Sequence, residues 1–509
     1  MPLSEKKPFN YIQSIEQARV YDIAKETPIT LAPKLSARLN NEVLFKREDL
    51  QPVFSFKIRG AYNKIAHLSE KERASGVICA SAGNHAQGVA MAAAKLGIVA
   101  TIVMPETTPE IKVSAVEALG GHVVLIGDSY SDALAHAEVL CAENGYTFIH
   151  PYDNELVIAG QGTVGEEMLR QTKGKDLDVV FVPIGGGGLI SGVSVYLKTM
   201  SPSTKIIGVE PVDSAAMFES LKADKRIVLD HVGIFADGVA VKQVGKITLE
   251  MCKQYVDEIM LVDTDETCAA IKDIYDEMRS IVEPAGALAL AALKKYVKRE
   301  QVHGKVLAAI NSGANMNFDR LRHVSERAEL GERREAVFAV QIPEQAGSFL
   351  TFCNHLSGYN ITEFNYRMSS RNEAYVYVGV AIRHASEAEN ITDALQEHGY
   401  KITRLMDNEA AKLHLRHLVG GKSIDVQHEH LYRFEFPERP RALLDFLTKL
   451  AGRWNISLFH YRNHGAAFGR VLVGLEVPDA DLSAFHTFLH DVGYTFVDES
   501  GNKALQLFL

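Results

Sequence analysis

Residues 77–105, VICASAGNHAQGVAMAAAKLGIVATIVMP, contain the unit that decides the fold of this chain. A short apolar run predicts a strand, the alanine-rich segment predicts a helix, and a second apolar run predicts another strand. Similar pairs continue to about residue 318. Short apolar strands that alternate with helices of ten or more residues indicate an α/β domain with a mainly parallel, buried sheet.

The composition of the 509 residues is that of an ordinary globular protein, with 47% hydrophobic and 23% charged residues. A net charge of -10 argues against nucleic acid or an anionic membrane as a partner. The longest small apolar run, AGALALAAL at 285–293, is far shorter than the roughly 20 residues of a membrane span, and the start, MPLSEKKPFN, has no apolar signal core. The five scattered cysteines form no CxxC pair, so we expect a reduced, cytoplasmic enzyme or sensor without a metal site.

A charged, helix-like connector at 319–336 separates this region from an internal repeat. The segment that starts at Pro343 recurs at Pro437, a shift of 94, and Asn360 recurs as Asn455, a shift of 95 that one inserted residue explains. Each copy predicts strand, helix, strand, strand, helix, strand, which is the ferredoxin-like order. A pair of purely structural modules is the alternative to a regulatory role.

SFKIRGAYNK, residues 55–64, places Lys57 between Phe56 and Ile58 at the predicted start of a helix that Ser55 can cap. A lysine amine is nucleophilic only when it is neutral, and both apolar surroundings and a helix N-terminus disfavour the ammonium form. This pattern suits a lysine that forms a Schiff base, although an isolated lysine is usually a solvated surface residue.

Two turns after predicted strands are candidate anion sites. SAGNHAQG, residues 81–88, would place backbone N–H groups at a helix N-terminus, which suits a carboxylate; a plain turn with Asn84 as the helix cap is the alternative. PIGGGGLISG, residues 183–192, has four consecutive glycines that let backbone amides approach a phosphate closely. No Gly-Lys-Ser/Thr follows, so this is not a P-loop.

The same glycine run also approximates a dinucleotide fingerprint. Gly186, Gly188 and Ser191 have the required spacing, and Glu210 ends the next predicted strand, where an acidic residue would hold a ribose. A nicotinamide-dependent oxidoreductase is therefore an alternative. Serine at the third position, and the late place of the unit in the alternation, count against it.

Two further residues are candidates because of their position. Ser312, in INSGANMN at 310–317, follows the predicted strand KVLAA, and ligands bind at the carboxyl ends of parallel strands. Glu283 precedes Pro284 in RSIVEPAGALAL. This pattern fits active-site support, and it equally fits a helix entry with proline in the first turn and a carboxylate facing the dipole.

Together these segments resemble the fold type II pyridoxal-phosphate enzymes, and in particular the biosynthetic threonine deaminases, over nearly the whole chain. The resemblance implies that Lys57 is the Schiff-base lysine, that Asn84 hydrogen-bonds the cofactor hydroxyl, and that Ser312 is the partner of the pyridine nitrogen. It assigns pyridoxal 5′-phosphate to Phe56, Lys57, Asn84, Gly185, Gly186, Gly187, Gly188, Leu189 and Ser312, and the substrate carboxylate to Ser81, Ala82, Gly83, Asn84 and His85.

The resemblance also implies the reaction, a β-elimination that converts L-threonine to 2-oxobutanoate and ammonia as the committed step of isoleucine biosynthesis. Isoleucine, and also valine, would inhibit a homotetramer through the C-terminal repeat. A dehydratase that prefers serine is the alternative within the class. The implied domains are a catalytic domain at 1–320, a connector at 321–335, and ACT-like modules at 336–408 and 409–509.

The second module departs from the family pattern at one position. Arg441 stands where family members commonly carry glycine, whereas the first module keeps Gly347. If that glycine lets the backbone approach an amino-acid effector, binding at the second module is impaired. If the backbone at this position has ordinary dihedral angles, the replacement of glycine by arginine has no effect on effector binding.

Overall fold

The computed structural model describes residues 9–502, apart from 128, 173–174, 234, 319, 332–333, 369–372, 409–424, 438–441 and 463–467. The chain divides into an N-terminal unit, Met1–Gly331, and a C-terminal unit, Glu332–Leu509. Arg441 lies outside the described residues. In the described part of the chain, no helix has the length and apolar character needed to cross a bilayer.

The N-terminal unit alternates strands and helices. Its strands are β1 (Ile29–Leu31), β2 (Glu42–Arg47), β3 (Val77–Ala80), β4 (Ala100–Met104), β5 (His122–Leu125), β6 (Thr147–Phe148), β7 (Val179–Pro183), β8 (Lys205–Pro211), β9 (Glu258–Val262) and β10 (Val306–Asn311). Its helices are α1 (Tyr11–Glu16), α2 (Pro33–Leu39), α3 (Lys57–Ala66), α4 (Glu70–Ser75), α5 (Asn84–Lys95), α6 (Glu110–Ala118), α7 (Tyr130–Asn144), α8 (Glu155–Gln171), α9 (Gly188–Met200), α10 (Ala216–Lys222), α11 (Lys246–Tyr255), α12 (Thr264–Met278), α13 (Pro284–Glu300) and α14 (Arg320–Gly331).

These strands form two sheets, and both are mainly parallel, as the sequence predicted. The first has the order β1-β2-β10-β7-β8-β9, with only β1 antiparallel to its neighbour, and the second has the parallel order β5-β4-β3-β6. The chain leaves the first sheet after β2, builds the second, and returns at β7. Buried apolar strands have the same pattern in either sheet, so local sequence does not show this division.

The topology places the predicted turns at the carboxyl ends of strands. All residues of β3, β4 and β7 are buried, as expected for parallel strands with both faces covered. β3 leads into the turn at 81–88. β7 and β10 are parallel neighbours, so the glycine run and Ser312 follow adjacent strands at the same sheet edge.

The C-terminal unit confirms the predicted order in both copies. The first copy consists of β11 (Glu335–Pro343), α15 (Ser348–His355), β12 (Asn360–Arg367), β13 (Glu373–Ala381), α16 (Ser386–Glu397) and β14 (Lys401–Arg404). The second consists of β15 (Glu429–Pro437), α17 (Ala442–Leu450), β16 (Asn455–Arg462), β17 (Phe468–Glu476), α18 (Leu482–Asp491) and β18 (Thr495–Asp498).

The two copies share one antiparallel sheet of eight strands, in the order β14-β11-β13-β12-β16-β17-β15-β18. They join where β12 pairs with β16. Each of these two strands has a register shift at the same place, after Ile361 in β12 and after Ile456 in β16, so the repeat extends to backbone detail. Aromatic and aliphatic side chains of both copies form one core.

Candidate active site

Lys57 is the first residue of α3, and its Nζ donates a hydrogen bond to the carbonyl of Pro151 at 3.1 Å. The side chain is half-buried, and Nζ lies 5.4 Å from the centre of the Phe56 ring. Burial lowers the pKa of Lys57 to about 8, and the negative charge of Glu283 opposes this shift. The amine is therefore poised to lose its proton near physiological pH.

Ser55 does not cap α3, so that expectation is wrong. The N-cap is Phe56, which makes no side-chain capping bond. The backbone of Ser55 instead forms an isolated antiparallel bridge with Gly313, and its Oγ is buried without a hydrogen-bond partner among the described residues. The start of α3 is thus fixed by the loop after β10.

The turn at 81–88 brings small polar groups to the N-terminus of α5. Gly83 is the N-cap, without a side-chain capping bond, and its N–H donates to Ser81 Oγ at 3.3 Å. Ser81 and Ala82 are half-buried. His85 is buried with Nε2 2.8 Å from the carbonyl of Ile149, and burial lowers its pKa to about 3, so its ring is neutral.

Asn84 is not the cap of α5, so the capping role that the plain-turn alternative gave it is wrong. Its Nδ2 donates to Glu283 Oε1 at 2.6 Å, and its Oδ1 accepts from Asn315 Nδ2 at 2.5 Å. Pro284 occupies the first turn of α13 as predicted, but the Glu283 side chain makes no capping bond. Burial and, as a smaller contribution, the negative charge of Asp237 together raise the pKa of Glu283 to about 7.

The glycine run bends around Tyr152 before α9. Gly187, with φ of +98°, is the N-cap of α9, and a Cβ at Gly186 would overlap the Tyr152 ring. Among the described residues, no protein acceptor takes the N–H groups of residues 185–188. Leu189, the second residue of α9, is buried in the core. The four amides are therefore available to an anion at a helix N-terminus.

Ser312 lies beside the start of α3. Its carbonyl accepts the N–H of Phe56 at 3.2 Å, and its Oγ donates to the carbonyl of Ala285 at 3.3 Å. The next contact along this loop joins the Glu283 N–H to the carbonyl of Gly313 at 3.2 Å. The structure thus brings Lys57, Asn84, Glu283 and Ser312 into one cluster, and the Pro151–Tyr152 segment connects this cluster to the glycine run.

Known proteins are similar to this chain in sequence and in fold. The sequence model of a family described as pyridoxal-phosphate dependent enzymes matches residues 20–313, and that of the C-terminal regulatory domain of threonine dehydratase matches 326–415 and 420–509. A Burkholderia multivorans (strain ATCC 17616 / 249) protein named "L-threonine dehydratase biosynthetic IlvA" is 54% identical over 503 residues, which cover 98% of this chain and 99% of that protein. This chain belongs to the pyridoxal-phosphate-dependent threonine dehydratase family.

Other relatives of this dehydratase family agree. The Escherichia coli (strain K12) protein of the same name is 50% identical over 500 residues, 98% of this chain and 97% of that protein. The solved structure of the processed form of threonine deaminase isoform 2 from Solanum lycopersicum matches with a TM-score of 0.61 and 51% identity, over 62% of this chain and 92% of that chain.

The residues of the site fit the dehydratase cofactor, pyridoxal phosphate. The aldehyde requires an amine that is readily neutral, and the pKa of Lys57 meets this requirement. The phosphate requires unpaired backbone donors, which the glycine run supplies at the N-terminus of α9. No such fit exists for nicotinamide: Glu210, the expected ribose ligand, is fully buried and accepts the N–H groups of Met217 and Phe218 at 2.8 Å each. The oxidoreductase alternative is wrong.

The segment after β6 was not among the site residues predicted from the sequence. It supplies the carbonyl that accepts from Lys57 and the Tyr152 ring that packs on the glycine run. Asp153, the next residue, accepts the N–H groups of Lys246 and Ile247 at the start of α11. The signal was available, because HPYD follows a strand in the same way as the serine of INSGAN follows β10.

Proposed function

We propose that this chain converts L-threonine to 2-oxobutanoate and ammonia by β-elimination, as the committed step of isoleucine biosynthesis. The observation that carries the proposal is the Lys57 amine, which lies beside the segment that packs on the glycine run and has a pKa near neutrality. The relatives named threonine dehydratase supply the substrate and the direction of the reaction.

Lys57 removes the α-proton of the substrate in this proposal. With a pKa of about 8, roughly a quarter of the amines are neutral at pH 7.5, against about one in a thousand at the ordinary value of 10.5. When Glu283 is ionised, its negative charge raises the pKa of Lys57, so the protonation of the amine depends on the charge of Glu283. Bound pyridoxal phosphate supplies an electron sink that makes the α-proton acidic enough for such a base.

Two helix N-termini bind the anionic groups. The turn Ser81–His85, which begins α5, receives the substrate carboxylate, and the neutral His85 ring adds no charge there. Residues 185–188 would hold the cofactor phosphate at the N-terminus of α9. As the family resemblance implies, Asn84 would orient the cofactor hydroxyl, and the uncharged Ser312 hydroxyl would be a partner for the ring nitrogen that does not enforce its protonation.

Replacement of the lysine tests this assignment. Lys57→Ala should lower 2-oxobutanoate formation by at least about a thousandfold, because no other residue carries both the covalent link and the base. Lys64→Ala, in the last turn of the same helix, is the control and should keep the native rate. Near-normal turnover by Lys57→Ala would contradict the proposal. A comparison of kcat/KM for threonine and serine decides against the serine-preferring alternative if threonine is the better substrate.

The C-terminal unit regulates the enzyme, and we propose isoleucine and valine as its effectors. A groove, here the larger groove, is lined by Leu356, Asn360, Leu444 and Tyr461 among others. It joins apolar side chains, which suit a branched aliphatic group, to a few polar ones that can bind an amine and a carboxylate. Coupling of such a ligand to a catalytic site is typically worth about 1–3 kcal/mol.

A second, smaller groove is the repeat-related copy of the first. Trp454 and Asn455 line it at the positions that Tyr359 and Asn360 occupy in the larger groove, and Gly347 lies on its other side. Each groove therefore combines residues of both modules. This geometry favours two unequal effector sites at the seam between the modules.

Removal of residues 332–509 tests the regulatory proposal. The shortened protein should keep threonine turnover and lose inhibition by isoleucine, because both grooves are deleted. Undiminished inhibition would contradict it. Asn360→Ala in the full chain should weaken inhibition through the larger groove alone, which identifies the groove that acts.

We also propose a cytoplasmic homotetramer, as the family resemblance implies. All five cysteines are free thiols, which suits a reducing compartment. Light scattering of the purified protein tests the subunit count. A molar mass other than four times that of the chain would refute the tetramer.

A further inference from the structure

Four fully buried charged side chains form a cluster behind α3. Lys46 comes from β2, Glu48 follows it, Arg59 comes from α3 and Glu167 from α8, and all four are 0% exposed. We call these four residues the buried charge cluster. It contains two positive and two negative groups, so it leaves no net charge in the interior. None of the four has a part in the reaction proposed above.

Arg59 is the centre of the cluster. Its Nε and Nη2 donate to the two oxygens of Glu48 at 2.8 Å each, and its Nη1 and Nη2 donate to Glu167 at 2.6 and 2.9 Å. Lys46 donates to the same Glu167 carboxylate at 2.5 Å. The planar arginine fork fits carboxylates in one orientation, so these bonds fix the rotation of α3 as well as its distance from α8.

Arg59 and Lys57 leave α3 in nearly opposite directions. Successive helical residues are about 100° apart, so two residues of separation place their side chains roughly 200° apart. Arg59 faces Glu167 on α8, while Lys57 faces the carbonyl of Pro151. The buried charge cluster therefore acts on the amine only through the helix that carries both residues.

Close backbone contacts leave the first turn of α3 little freedom. The Gly60 N–H donates to Gln161 Oε1 at 3.2 Å, and a Cβ at Gly160 would lie 2.7 Å from the carbonyl oxygen of Arg59. On the other side, a Cβ at Gly88 of α5 would lie 3.2 Å from the carbonyl carbon of Lys57. The helix start is thus held between α5 and α8, and a small rotation would move the amine away from Pro151.

Stability alone does not account for such a cluster, because well-packed apolar side chains often stabilise a core as well as buried ion pairs do. We propose that the buried charge cluster is a positioning device that sets the direction of the Lys57 amine, with Arg59 as its central positioning residue. This inference rests on the role given to Lys57 under the proposed function.

Arg59→Lys tests the device, because it keeps the charge and removes the fork. The variant is assayed as the cofactor-loaded full chain, at a temperature well below the midpoint of its thermal unfolding. Relative to wild type, we expect kcat to fall by about tenfold or more while KM for threonine changes by less than about threefold. The visible circular dichroism of the bound cofactor, which reports a fixed orientation, should weaken in parallel. Glu166→Gln, which breaks an ion pair with Arg170 on α8, is the control and should keep the native kcat and the native visible circular dichroism.

A second variant covers the case in which Arg59→Lys fails to fold. Lys46→Met combined with Glu167→Gln removes one charge of each sign and should give the same losses. Native kcat and ellipticity in either folded variant would overturn the proposal. Collapse of both variants would assign the cluster to stability and also overturn it. Borohydride reduction of the wild-type enzyme and peptide mass spectrometry separately test the Lys57 assignment, which fails if the cofactor is attached elsewhere.

Discussion

Replacement of Glu283 by glutamine tests the electrostatics of the site through the pH dependence of stability. Glu283 is 4% exposed and accepts from Asn84 at 2.6 Å. Burial, then the negative charge of Asp237, raise its pKa from 4.5 to about 7, against the opposing effects of Asn84 and Lys112. Glutamine has nearly the same shape and can still accept from Asn84, but it cannot ionise.

The sign and size of the effect follow from this pKa. Between pH 4.5 and about 7 the folded chain holds a proton on Glu283 that the unfolded chain has lost, so stability falls as the pH rises through this window. The difference between the two pKa values corresponds to roughly 3 kcal/mol. Because Glu283→Gln lacks the group, its free energy of unfolding relative to wild type should increase by about 3 kcal/mol between pH 4.5 and pH 8.

Urea unfolding of the cofactor-free protein at several pH values measures this difference, with far-ultraviolet circular dichroism as the signal. The single tryptophan of the chain, Trp454, lies in the C-terminal unit, so its fluorescence follows that unit separately. The free energy of unfolding of the C-terminal unit, followed by this fluorescence, should be the same for the variant and the wild type at every pH. A difference between them by circular dichroism that stays constant from pH 4.5 to 8 would refute a buried, readily protonated Glu283.

Three other outcomes are expected. Gly186→Ala should weaken cofactor binding by at least about tenfold in an absorbance titration, because the new Cβ overlaps Tyr152, whereas Gly358→Ala, with nothing within 4 Å of its Cβ, should bind normally. Ser312→Ala should change the free energy of unfolding by less than about 1 kcal/mol, because the lost hydroxyl makes one hydrogen bond of 3.3 Å. The same variant should have a lower kcat, and an unchanged kcat would contradict the role proposed for Ser312. Isoleucine should shift the emission of Trp454, which lines the smaller groove and is 4% exposed; full inhibition without any shift would exclude that groove.

The parts of the site that the sequence predicted are those encoded locally. The turns at 81–88, 183–192 and 310–317 each follow a buried apolar strand, so hydrophobic pattern and turn chemistry together locate them. The expected burial around Lys57 likewise depended on its immediate neighbours. Each of these inferences needed no more than about ten consecutive residues.

The partners of these residues could not be predicted, because they come from distant parts of the chain. Glu283 is 199 residues from Asn84, and Glu167 is 108 residues from Arg59. A glutamate before proline has the same local pattern whether it faces a helix dipole or an asparagine across the site. Ser55 shows the reverse failure: a residue with good capping chemistry is held by a tertiary bridge instead.

The structure of the repeat changes the expectation that each module contains its own effector site. In sequence, Gly347 and Arg441 each belonged to the effector site of their own module. In the structure, Gly347 lines the smaller groove together with Leu447 and Trp454 of the other module. A substitution in one module therefore acts on a site that both modules build, and two copies of nearly equal sequence can form two sites of unequal size. With isoleucine and valine as the proposed effectors, the larger groove would need to accept one methylene that the smaller one excludes, a difference worth about 1–3 kcal/mol.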